Sequence, residues 1–254
     1  MMIEIKEICR YPVKGLAADT LETVDLEEGQ ALPNDRKWGI IHAASKIDPA
    51  APRWVEKSNF LMLARDEKLG QLGASFDAES KKLTITRKGR PVSKGNLGDP
   101  MGRMILQTFL AGFMPPGSRG NPRIVEAPGK ISFSDVSERV ISIINLASLR
   151  DLETRVIRQP VHPHRFRGNF YIDGAPAWSE LDWVGKKLKI GTATLEVMDP
   201  IGRCTATNVN PETGVSDLNI PLNLQRAFSH RNCGIYAQVV EDGTVKTGDQ
   251  LELL

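Results

Sequence analysis

Apolar and polar residues alternate from the start of the chain: Ile3 and Ile5, then Ile8 and Tyr11, mark a half-buried extended segment. The extra step between Ile5 and Ile8 predicts a bulge near Lys6. Short runs of the same kind follow at close spacing. Leu21 to Leu26 leads into a turn at Gly29, Lys37 to His42 reads as a further strand, and Lys81 to Lys88 pairs with Pro91 to Ser93 across Gly89 and Arg90. The first half therefore has an all-β habit.

Between Ala111 and Lys130 the chain turns rich in Pro and Gly and loses any period, which places a domain boundary there and divides the chain into residues 1–115 and 116–254. Beyond it Val140 to Ile144 is a β-branched strand. Ala147 to Ile157 sets Leu149, Leu152 and Val156 at helical spacing, with Ser148 as the cap. Strands are predicted at Lys187 to Ile190, Ala193 to Met198, Cys204 to Val209, Ile235 to Val240 and Val245 to Leu254, and a short helix at Leu218 to Arg226. The fold class is β-rich α+β with a few helices.

Composition narrows the partners. The 254 residues are 41% hydrophobic and 25% charged, an ordinary globular mixture. A formal net charge of +2 points to no nucleic acid and no anionic membrane surface as main partner. No apolar run approaches the ~18 residues of a spanning helix. Glu4, Lys6 and Glu7 interrupt the place where a signal peptide needs its apolar core, and Cys9, Cys204 and Cys233 cannot all pair within the chain. The expected compartment is reducing and cytoplasmic.

Chemistry concentrates in DPIGRCTATNVNPETG, residues 199–214, where Cys204 precedes a turn begun by Asn210-Pro211 and closed by Gly214. On an extended strand Gly202, Cys204 and Ala206 share one face, and such small neighbours leave room beside the sulfur. Arg203 would point to the opposite face. Residues 155–169 hold Arg155, Arg158, His162, His164, Arg165 and Arg167 with no acid among them, an anion-attracting field. His162 and His164 would face the same way on a strand, but Pro163 between them and the lack of a nearby Cys or acid argue against a metal site. Cys9 and Cys233 read as core residues, and Trp178 and Trp183 as packing residues.

WSELDWVG at 178–185, IG at 190–191, RCTATNVNPETG and CGIYAQVVEDGTVKTGDQLEL together resemble the MOSC domain, named for the C-terminal part of molybdenum cofactor sulfurases. YPVKGL at 11–16 and LPNDRKWGII at 32–41 are similar to the β-barrel domain that precedes MOSC in amidoxime-reducing proteins. The resemblance implies an N-terminal MOSC-type β-barrel domain followed by a MOSC β-barrel-like domain. It further implies a molybdenum-molybdopterin cofactor with Cys204 as catalytic residue and metal ligand, pyridoxal phosphate not being expected. A thiolate is a soft donor suited to such a metal.

By the same resemblance Lys14, Arg36, Arg167 and Asn169 contact the cofactor, whose phosphate and pterin call for cations and planar donors. Arg165 and Arg203 join them as cofactor-binding candidates, with Ser137 in SDVSER matching a family serine. Gly15 and Gly202 depart from the pattern, standing where relatives carry serines, so backbone N–H groups would have to serve there. The implied activity is reduction of small N-hydroxylated or N-oxygenated substrates. Three scattered cysteines do not make the usual iron-sulfur set, and the sequence ends at Leu254 without a ferredoxin module. A separate electron donor of ferredoxin, flavin or cytochrome type is therefore expected. The alternatives are a sulfur carrier with a persulfide on Cys204, and a cofactor carrier.

Overall fold

The computed structural model describes residues 2–115 and 120–254, so the expected domain boundary falls against positions outside the described residues. In chain order the first strands are β1 (Ile3–Arg10), β2 (Val13–Lys14), β3 (Asp19–Leu21), β4 (Thr23–Leu26) and β5 (Trp38–Ile41). An antiparallel sheet of β6 (Leu72–Asp77), β7 (Lys82–Arg87) and β8 (Arg90–Asn96) precedes helix α1 (Pro100–Phe113), followed by β9 (Arg123–Glu126). Then come β10 (Ile141–Asn145), α2 (Leu146–Asp151), β11 (Phe170–Asp173), β12 (Lys187–Ile190) and β13 (Ala193–Gly202). The last elements are α3 (Ile220–Phe228), β14 (Asn232–Glu241), β15 (Gly243–Lys246) and β16 (Gln250–Leu253).

Seven strands close into a barrel in the order β1-β11-β10-β14-β13-β12-β16 and back to β1. Closure leaves no free sheet edge. The closing strand comes from the N-terminal end of the chain: β1 pairs with β11 along one side, and with β16 and then β3 along the other. Its register against β11 shifts between Ile5 and Glu7, the bulge expected at Lys6. The barrel is filled by alternating aliphatic and aromatic side chains, among them Ile5, Ile143, Phe170, Leu195, Val197 and Ile235. Burying each such side chain contributes about 1.5–3 kcal/mol.

Strand β4 pairs with β15 and packs Val24 and Leu26 on the barrel core, while β2 and the elements from β5 to β9 build a second core. Strand β5 lies between β2 and β9, and β6-β7-β8 packs on α1 through Leu83, Ile85, Leu106 and Leu110. Helix α1 has no counterpart among the predicted elements. Its caps are present in the sequence: Asp99 accepts a hydrogen bond from the Gly102 N–H at 2.8 Å, and Pro100 follows at the first helical position. Its stripe is blurred because Met101, Met104 and Ile105 are exposed apolar residues lying beside the buried Leu106, Leu110 and Phe113.

Three further predictions are corrected. Asn145, not Ser148, caps α2, accepting from the Ala147 N–H at 3.0 Å, while the Ser148 hydroxyl is buried and donates to the Glu180 carboxylate at 2.9 Å. The helix ends at Asp151 and runs on as a π-helical turn, Leu152–Ile157, which Arg158 stops in the left-handed region at φ 58°. Residues 205–208 form a 3₁₀ turn instead of a strand.

Gly168 sits where the barrel meets the loop before β11. A Cβ built there would stand 2.3 Å from Cγ1 of buried Ile144, so Gly168→Ala should destabilise the fold by about 1–3 kcal/mol through overpacking. Chemical denaturation checks this, and an unchanged midpoint would remove Gly168 from the barrel's packing constraints.

Candidate functional site

A cavity of about 1020 Å³ opens between the barrel and the N-terminal unit. Every site residue singled out above lines it. Lys14 and Gly15 come from β2 and its turn, Arg36 from the loop before β5, and Ser137 from the segment before β10. Arg165, Arg167 and Asn169 come from the approach to β11, while Gly202, Arg203 and Cys204 lie at the end of β13 and just beyond it.

The cationic wall is organised by Tyr11. Its buried ring lies under two guanidinium groups, Arg36 at 4.5 Å and Arg167 at 4.3 Å from the centroid. Arg36 also donates from a guanidinium nitrogen to the Arg167 carbonyl at 2.8 Å, and Arg167 donates to the Leu16 carbonyl at 2.8 Å. Both arginines adopt left-handed backbone, with φ of 48° and 52°. That conformation costs on the order of 1 kcal/mol for a residue with a Cβ, and it persists because these contacts over-determine it. Burial opposes the charge of both groups. For Arg36 the opposition is outweighed by its ion pair with Asp35, which holds its pKa above the usual value, whereas Arg167 is left below.

Asp35 is itself tied in, accepting from the Tyr11 N–H at 2.8 Å. Lys14 is buried and pairs with Asp135 at 2.5 Å, and Lys57 stands 3.5 Å from the other oxygen of the same carboxylate. Burial pushes the Asp135 carboxyl up, but Lys14, Lys57 and Arg36 outweigh it and hold the group well below the usual carboxylate range. Lys14 is displaced downwards, because burial exceeds the support from Asp135.

Not every candidate presents its polar atoms to the cavity. Asn169 is consumed by the barrel: its amide N–H donates to the Cys9 carbonyl at 3.1 Å, and its oxygen accepts from the Ser142 hydroxyl at 2.8 Å. Arg203 donates to the carbonyls of Cys233 and Phe166, at 2.7 and 2.8 Å from two of its nitrogens. Arg165 donates to the Asn208 carbonyl at 2.8 Å and pairs with Asp217 at 2.7 Å. Its buried Nε has no hydrogen-bond partner among the described residues, leaving a donor for an incoming acceptor.

Cys204 is the partly exposed thiol of the three; Cys9 and Cys233 are buried, and burial pushes the Cys233 thiol up to about 12. The residue keeps extended backbone at the head of the 3₁₀ turn, where its carbonyl accepts from the Thr207 N–H at 3.1 Å and hydroxyl at 2.8 Å. Gly202 and Ala206 border the cavity beside it, although not as alternate residues of one strand. Burial opposes the Lys57 charge, yet Asp135 and Cys204 together keep it above the usual lysine value.

Lys57 and Asp135 are the site residues that sequence reasoning missed. Asp135 lies within the SDVSER run already noted for Ser137, but nothing in the SNF context around Lys57 distinguishes it from a surface lysine. The histidine pair is also rearranged. Pro163–Phe166 is a 3₁₀ turn, the His162 ring nitrogen accepts from the His164 N–H at 3.1 Å, and the fold brings Glu7 and Cys9 to His164. The expectation of no nearby Cys or acid is thereby overturned.

The chain is thus a closed β-barrel protein whose flank holds a partly exposed thiol beside a cation-lined hollow. Residues 128–252 match the MOSC domain family. The chain is 30% identical over 163 residues to "Mitochondrial amidoxime-reducing component 1" of Mus musculus, covering 59% of this chain and 46% of that protein. It is 32% identical over 134 residues to "Mitochondrial amidoxime reducing component 2" of Bos taurus, covering 47% and 38%. The matches thus span less than half the length of these relatives. Among solved structures, the YUAD protein from Bacillus subtilis aligns over 100% of this chain and 96% of its own, with 14% identity and a TM-score of 0.46. No helix among the described residues is long and apolar enough to cross a membrane.

Two outcomes follow from the geometry. A small alkylating reagent should modify one thiol per native chain and three after denaturation, and Cys204→Ala should remove the native one; rapid labelling of Cys9 or Cys233 in folded protein would contradict the burial described. The depressed Asp135 carboxyl contributes stability that is fully present above the unfolded value near 3.8 and is lost as pH falls through its lower folded value. Asp135→Asn should therefore flatten the acid limb of a melting-temperature profile below about pH 4. An unaltered limb would mean that the cations do not hold this carboxylate.

Proposed function

We propose that this chain is a molybdenum-cofactor-dependent reductase that removes oxygen from small N-hydroxylated or N-oxygenated molecules. The observation that carries the reading is the placement of the Cys204 thiol in the same cavity as Lys14, Arg36, Arg165 and Arg167. A thiolate suits a soft metal, and buried cations suit the phosphate and polar pterin of such a cofactor. The cavity volume, the unpartnered Arg165 Nε and the two glycines on its wall fit a bulky anionic group.

In this reading Cys204 holds the metal, Lys14, Arg36 and Arg167 meet the phosphate and pterin oxygens, and Arg165 donates its free N–H. Gly15, Ser137 and Gly202 bring the wall close, while Asn169 and Arg203 act from behind, locking the strands that carry Ser142 and Cys233. When bound, the cofactor supplies a redox-active metal able to take oxygen from the substrate. Lys57 keeps a cation beside the sulfur, and Tyr11 keeps two arginines oriented toward the hollow without a solvent shell. The relatives are named as components, which accords with electrons arriving from a separate protein of ferredoxin, flavin or cytochrome type.

Protein made in a host that synthesises the cofactor should contain about one molybdenum per chain, the pterin fluorescence that goes with it, and donor-driven reduction of an amidoxime or hydroxylamine. Cys204→Ala should abolish turnover with little loss of stability, since it deletes one small partly exposed side chain. Arg167→Ala should lower molybdenum content. A persulfide on Cys204 without pterin would instead make the chain a sulfur carrier, and bound cofactor without turnover would make it a cofactor carrier.

A further inference from the structure

On β1, past the bulge at Lys6, strand alternation puts Glu7 and Cys9, two positions apart, on one face, and His164 on the 3₁₀ turn Pro163–Phe166 closes over them. His164 Nε2 lies 3.0 Å from both Glu7 carboxylate oxygens and 3.7 Å from Cys9 Sγ. All three donor atoms lie within 4.8 Å of one another. This is not a nucleophile–base–orienter triad, because such a relay uses the two different nitrogens of the imidazole, and here carboxylate and sulfur converge on the same one.

We propose that Glu7, Cys9 and His164 form a metal site for a zinc-class divalent cation, separate from Cys204 and built to brace the arginine-bearing loop. In a tetrahedral site with bonds of about 2.0–2.3 Å, neighbouring ligand atoms stand about 3.3–3.8 Å apart; the nitrogen–oxygen and nitrogen–sulfur separations of 3.0 and 3.7 Å lie within a few tenths of an ångström of that range, and the oxygen and sulfur lie within 4.8 Å of each other. One nitrogen, one oxygen and one sulfur ligand match zinc's borderline softness. A carboxylate and a thiolate neutralise a divalent charge, with the imidazole neutral. On binding, the Cys9 S–H proton is displaced to solvent and a metal–sulfur bond replaces it, so metal entry overcomes the burial that otherwise keeps the thiol protonated.

The cation has a route in. Glu7 and His164 side chains are 33% and 27% exposed, whereas Cys9 forms the buried floor. Water would complete the coordination, since the ligand atoms that converge are those of Glu7, Cys9 and His164 and not of His162. A metal here would tie the barrel's closing strand to the turn that leads directly into Arg165 and Arg167, and so would fix two cations of the cavity from outside it.

The test is titration of the chelator-treated 254-residue chain with Co²⁺, which reports thiolate ligation by a sulfur-to-cobalt charge-transfer band and intense ligand-field absorption. One equivalent should bind with these bands in both the wild type and Cys204→Ala, and Zn²⁺ should displace it and raise the melting temperature. Cys9→Ala should lose the charge-transfer band. Glu7→Gln, a half-exposed change that spares the core, should weaken binding by at least about tenfold. A band that persists in Cys9→Ala, or that vanishes in Cys204→Ala, would overturn the proposal by assigning the metal to the cavity thiol; neither result bears on whether the cavity binds a molybdenum cofactor.

Discussion

Two guanidinium groups held over one buried tyrosine ring are the constraint on which the site depends. Arginines brought together in a partly buried wall repel each other and lose hydration, and each effect alone would drive them toward solvent. Tyr11 supplies a polarisable face to both, Asp35 supplies a compensating charge, and the carbonyls of Arg167 and Leu16 each accept one hydrogen bond, from Arg36 and Arg167 respectively. The left-handed backbone at both arginines is the local expression of that arrangement. Removing the ring would leave two cations buried without their shared support.

Barrel closure makes this possible. Tyr11 follows β1, the strand that shuts the barrel against β11 and β16, and Arg165 and Arg167 precede β11 itself. Strand pairing between the two ends of the chain therefore sets the distance between residues more than a hundred positions apart. The Asn169 amide locks the same junction, bridging the Cys9 carbonyl and Ser142. An asparagine that looks like a ligand-binding group in the sequence is here spent on holding the scaffold that presents the arginines.

The sulfur sits on different machinery. Strand β13 ends at Gly202, and the turn that begins at Cys204 frees its thiol from the alternation of the sheet. A sulfur in mid-strand would face either the packed interior or open solvent. At the head of a 3₁₀ turn it reaches the cavity edge, where Lys57 meets it from a long loop of the N-terminal unit. Asp135 couples that lysine to Lys14, so two lysines and one carboxylate form a continuous charged chain along the wall.

Local pattern alone determined most of the short strands, the bulge at Lys6 and the hairpin at Gly89, because periodicity and turn residues are properties of adjacent positions; it read residues 204–209 as a strand where a 3₁₀ turn stands, and Cys204 was singled out chiefly by the family resemblance. Helix α1 escaped because exposed methionines obscured its stripe, although its Asp99-Pro100 cap was present. Only tertiary structure decided that Lys57 and Asp135 belong to the site, that Asn169 and Arg203 serve the scaffold, and that Glu7 and Cys9 meet His164. Those relations are contacts across 27 to 160 positions of chain between groups whose neighbours in sequence are ordinary, and no short window of residues carries the distance that makes them partners.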